Sequence, residues 1–140
     1  MQLSPEQALK DRATFGVLQH YVRSTLLREM FIISNKMAES FVDNISIKSY
    51  WNDINNVISS TYHMLNVFKN TEPLLTTSAE KPATTRIATF GMVDYRTNKE
   101  RLFYDLQYPR LRNYFYGINE STLEEEKDIL HNIRAFINQK

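Results

Sequence analysis

Only three glycines and four prolines punctuate this chain of 140 residues. A β-sandwich of this length would need turn residues about every 8–12 positions, so such sparse punctuation favours long helices. Hydrophobic residues make up 42% and aromatics 12%, enough to build a core and unlike a disordered chain. Seventeen basic residues face 16 acidic ones, and the formal charge of +1 creates no whole-molecule field that would draw in nucleic acid or an anionic membrane. Any cationic function must be local.

Capping chemistry marks three helix starts. Ser4-Pro5-Glu6-Gln7 supplies a hydroxyl cap, a proline suited to the first helical position and a glutamine that reaches back. Thr97-Asn98-Lys99-Glu100 and Ser121-Thr122-Leu123-Glu124 repeat the box. The first helical region is expected over about 5–44. Its apolar stripe from Leu26 to Ile45 (Leu27, Met30, Ile33, Met37, Phe41) is turned by about half a circle from the Val17, Leu18, Tyr21, Val22 stripe before it. Either the helix breaks near Ser24-Thr25 or its two ends pack on different partners. A second helix is expected over about 48–69, with Trp51, Ile54, Ile58, Tyr62, Leu65 and Phe68 inward and Asn52, Asn56, Ser59 and His63 outward.

Residues 70–85, with two prolines and five threonines, read as a long connection. The next stretch, 86–95, fits a short helix or an extended segment. A third helix after Thr97 carries Leu102, Phe103 and Leu106 until Pro109 kinks or ends it, with a further turn or two over 110–116 stopped by Gly117. The last helix, about 122–138, buries Leu123, Leu130, Ile133 and Ile137. The expected fold is an all-α, up-down four-helix bundle in one domain, 1–140, with a long first helix and a long crossover loop at about 70–96. Trp51, Phe41, Leu65, Leu102, Leu106, Leu130 and Ile133 form its core. Residues 5–24 either pack on the bundle or extend as an arm.

Most catalytic chemistries lack their residues. The absence of cysteine removes thiolate metal sites, disulfides and cysteine nucleophiles. His20, His63 and His131 lie on separate segments, and Asp128-x-x-His131 is a single carboxylate–histidine spacing where bundle di-metal sites need two. The glycines are isolated, so no phosphate loop exists, and no serine sits in a nucleophile-elbow pattern. Glu124-Glu125-Glu126 complements a helix N-terminus. No catalytic residue, metal site or cofactor is expected. The N-terminus has neither the apolar run of a signal peptide nor transit-peptide character, and the longest apolar run, Met30–Ile33, falls far short of the ~20 residues of a membrane span. The chain reads as soluble, and as compatible with prior removal of a targeting segment.

The densest aromatic–basic stretch is "YPRLRNYFYG", 108–117. "LRNYFYG" is similar to the start of the HEPN ribonuclease motif, but the histidine that motif requires does not follow until His131. Stacking on tyrosine with arginine on phosphate would suit nucleic acid. Between Arg86 and Tyr116, however, Arg86, Arg96, Lys99, Arg101, Arg110 and Arg112 are interleaved with Asp94, Glu100 and Asp105, which is no basic stripe. Tyrosine and arginine are also the residues enriched where proteins dock. The expected partner-binding residues are Arg101, Tyr108, Arg110, Arg112, Tyr114 and Tyr116. The expected function is that of a non-enzymatic subunit docking on a larger assembly. The alternative is a viral structural protein that binds nucleic acid through the same patch.

Three passages resemble PsbQ-like proteins, the extrinsic subunits of photosystem II and their relatives in the chloroplast NDH complex. "FVDNISIKSYWNDINNVI" (41–58) is similar to that family's passage from first to second helix. "KERLFYDLQYPRL" (99–111) resembles its third helix and "STLEEEKDILHNIRAFI" (121–137) its last. The proline-rich N-terminal extension of plant members is missing, and the crossover is longer. The resemblance implies a four-helix bundle in the thylakoid lumen, lying on the donor side of photosystem II and helping to retain calcium and chloride without ligating them.

Overall fold

The computed structural model describes residues 4–44, 46–75 and 86–140. Among these are helices α1 (Pro5–Arg23), α2 (Asn35–Ala38), α3 (Tyr50–Lys69), α4 (Glu120–Glu125) and α5 (Ile129–Asn138), and strands β1 (Met30–Phe31), β2 (Ile87–Ala88), β3 (Gly91–Val93) and β4 (Glu100–Leu102). β1 and β2 pair in parallel, β3 and β4 antiparallel. The fold is therefore mixed helix and sheet, which overturns the all-α four-helix bundle. The glycine argument fails because other residues take the left-handed backbone: Thr25 has φ 69°, Asn44 φ 55° and Asn98 φ 56°. Of the expected crossover loop, 76–85 lies outside the described residues, and 86–96 contains β2 and β3 rather than loop alone.

The chain divides into two compact units, one of Met1–Ile32 with Ala83–Ala88 and one of Ile33–Pro82 with Thr89–Lys140. In the first, the Ser4 hydroxyl accepts from the Gln7 N–H and Pro5 opens α1, but the Gln7 side chain donates to Asp11 Oδ1 at 2.8 Å instead of reaching back to the cap. The helix stops at Arg23. Ser24 N–H donates to the His20 carbonyl, Thr25 turns left-handed, and the Arg86 guanidinium donates to the Val22 and Arg23 carbonyls at 3.4 and 2.9 Å. The break near Ser24-Thr25 is thus the alternative realised. Residues beyond it pair as strand instead: Met30 N–H donates to the Arg86 carbonyl and Ile32 N–H to the Ala88 carbonyl.

The second unit contains the antiparallel hairpin. Val93 pairs with Glu100 across a turn in which Asp94 Oδ1 accepts from the Arg96 and Thr97 N–H groups, and Asn98 supplies the left-handed residue. Thr97 is consequently a turn residue and no helix cap. Phe103, at 0% exposure, continues β4: its N–H donates to the Phe90 carbonyl and its own carbonyl accepts from Ser34 N–H. Its ring stacks on Phe41 at 4.3 Å and meets Phe90 edge-on at 5.1 Å. The expected third helix is absent, and Phe103–Asn119 is irregular, including Pro109 and the stretch 110–116.

α3 matches its expected span within two residues, but its inward face is rotated. Ile54 and Thr61 are buried, Thr61 returning its hydroxyl to the Val57 carbonyl at 2.7 Å, whereas Trp51 is 61% exposed and meets Tyr50 edge-on. The last helix divides in two at Glu126, whose ψ of 80° interrupts it. α4 begins at Glu120, one residue before the expected box, and α5 buries Ile129, Ile133 and Phe136. Leu130 is 36% exposed, so among the expected core residues Trp51 and Leu130 are corrected, Ile133 is buried, and Phe41, Leu65, Leu102 and Leu106 are half-buried.

Candidate functional site

Glu100, on β4, organises the region around the aromatic–arginine stretch. Its carboxylate receives Arg112 Nη1 at 3.3 Å on one oxygen, and Lys140 Nζ at 3.1 Å and the Tyr114 hydroxyl at 3.2 Å on the other. A largely buried carboxylate is stable there because several donors replace its water. The Tyr114 ring meets Phe136 of α5 edge-on at 5.5 Å, and Lys140 lies over the same ring at 5.2 Å. These contacts hold the irregular chain after Pro109 against the hairpin and the end of α5. Tyr116 is half-buried; burial, then Tyr114 and Glu100 nearby, push its phenol above the ordinary tyrosine range.

The six expected binding residues therefore separate into inner and outer groups. Arg101 donates to the Ser40 carbonyl at 2.9 Å and lies over Phe41, so it serves the hairpin's own packing. Tyr114 and Tyr116 are half-buried, and Arg112, though exposed, is tied to Glu100. Tyr108 is 91% exposed, and Arg110 is exposed with no hydrogen bond or ion pair to the described residues. A groove of about 260 Å³ runs beside them, bordered by Pro109, Arg110, Leu111, Arg112, Tyr114, Ile137 and Lys140. Three cations thus border this edge, and two of them, Arg112 and Lys140, are paired with Glu100.

Glu100 and Lys140 are the two members that sequence reasoning missed. Glu100 was assigned to a helix cap, and nothing in the local pattern around Lys140 links it to a residue forty positions away. A second, wider opening of about 760 Å³ lies between Phe41–Asp43 and the outward face of α3 at Asp53, Asn56 and His63. Its Asp53 accepts from the Ser49 hydroxyl at the start of α3.

His20, His63 and His131 are exposed, and among the described residues no three histidine, aspartate or glutamate side chains gather as a metal site would require. No helix among them is long and apolar enough to cross a membrane. No protein-family model matches the chain, and no curated protein or solved structure matches it.

Proposed function

We propose that this protein acts by binding rather than by catalysis, docking on a larger protein assembly through Tyr108, Arg110 and Leu111 at the groove's rim. The observation that carries this reading is the division within the stretch. Arg112, Tyr114 and Lys140 are fastened to Glu100, while Tyr108 and Arg110 are exposed and have no hydrogen bond or ion pair among the described residues. An exposed tyrosine and an arginine without a partner among the described residues, next to a braced segment, suit a docking hot spot, because their ring face and donors are open to a partner.

The nucleic-acid alternative draws less support. Arg86 caps α1, Arg96 pairs with Glu126 at 2.9 Å, Arg101 holds Ser40 and Arg112 holds Glu100. The rings of Tyr114 and Tyr116 are half-buried, so successive bases find no row of open aromatic faces. The PsbQ-like reading would make photosystem II the assembly. The segment meant to supply its third helix, 99–111, is strand and irregular chain here, so the docking proposal rests on the surface and not on that resemblance. Native co-purification from the source organism tests the proposal: Arg110→Glu is expected to keep the fold and lose the partner. Retention of every partner by that variant would refute docking at this surface.

A further inference from the structure

From the chemistry of the groove, and resting on the docking reading above, we infer that its ligand is an acidic peptide segment, a carboxylate side chain beside an aliphatic one. Size comes first. A groove of about 260 Å³ lies below the roughly 300–1,000 Å³ of sites that engulf a small molecule, and suits one or two side chains of a longer chain.

Charge is the second argument. Arg110, Arg112 and Lys140 border the groove against one carboxylate, leaving a local surplus of positive charge. Arg112 contacts Glu100 through Nη1 and Lys140 through a single Nζ contact, so each retains donors for a second acceptor. Arg110 gives none of its own to the described residues. Three of the residues that border the groove, Arg112, Lys140 and Tyr114, already hold one carboxylate, that of Glu100, which is not itself part of the lining. An entering carboxylate would meet the same donor types, with Arg110 added.

The apolar wall decides for a peptide over a bare anion. Leu111 is 41% exposed, Ile137 is half-buried, and Pro109 lies beside them with no N–H to satisfy. An aliphatic side chain covers these while the neighbouring carboxylate lies on Arg110. Phosphate alone, or a nucleic-acid backbone, would leave that wall wet.

The test uses the full chain and a fluorescein-labelled peptide of repeated Glu-Glu-Leu, followed by anisotropy. Its Gln-Gln-Leu counterpart, inorganic phosphate and an oligothymidylate serve as competitors. The glutamate peptide is expected to bind, and the glutamine peptide to bind about tenfold or more weakly. Arg110→Ala should weaken the glutamate peptide by about the same factor, and Arg110→Lys by less, because a lysine keeps the charge without the fork. Circular dichroism should be unchanged, since Arg110 holds nothing among the described residues. Equal binding of the two peptides, indifference to Arg110→Ala, or stronger competition from phosphate or oligothymidylate would each overturn the inference. If the peptide fails to bind yet Arg110→Glu still loses the native partner, the ligand class is wrong and the docking reading survives.

Discussion

Phe103 joins several segments of the second unit, because its ring and its backbone act together. The ring packs against Phe41 and Phe90, while its N–H and carbonyl fasten Phe90 and Ser34. Phe103→Ala removes a fully buried aromatic and leaves a cavity, at a cost of about 3 kcal/mol. The expected result is a lower urea midpoint with an unchanged slope; an unmoved midpoint would show that the aromatic cluster does not support the fold. Asp94 acts through charge. The Arg96 backbone N–H first, then Thr97, hold its carboxylate below the ordinary value of 3.8. A depressed carboxylate stabilises the folded form above that value, and the contribution is lost as pH falls through the lower folded value. Acid should therefore loosen the hairpin below about pH 3.8. Asp94→Asn, which keeps an acceptor without the titration, should flatten that acid limb in amide spectra, and identical acid profiles would contradict the assignment.

Among the elements, one motif has three outcomes. At residue 4, Ser4 and Pro5 start α1 as expected, while Gln7 turns to Asp11 rather than back to the cap. Ser121 falls inside α4, which begins one residue earlier. Thr97-Asn98-Lys99-Glu100 becomes the turn and first pair of a hairpin, since Asp94 and left-handed Asn98 close it as well as a glycine would. Spacing alone cannot separate a helical Leu102, Phe103, Leu106 pattern from a short strand followed by irregular chain. The partner strand decides. That pairing depends on Gly91, where an added Cβ would stand 2.0 Å from the Arg101 carbonyl oxygen. Gly91→Ala should push β3 from β4 and destabilise by about 2–3 kcal/mol, measured by denaturation. Wild-type stability would show that the strands pair otherwise.

At the scale of the whole molecule, the start of α1, the span of α3 and the apolar face of α5 are legible because caps and periodicity are local signals, while the change of apolar face at Ser24-Thr25 leaves a break and one long helix equally open. The sheets were not, since β1 and β2 join segments more than fifty residues apart and each strand is too short to show alternation. The candidate site was half legible. Its aromatic–arginine composition marked the surface, but which arginine is free depends on Glu100, Ser40 and Lys140, and those contacts arise only on folding. The proposed docking of the chain acts through Arg110. It is tested most directly by quantitative native co-purification with the wild type, Arg110→Glu and Arg12→Glu, the last an exposed charge reversal on α1. The account predicts that a specific set of proteins accompanies the wild type and Arg12→Glu and is lost with Arg110→Glu. Equal recovery with all three would contradict it.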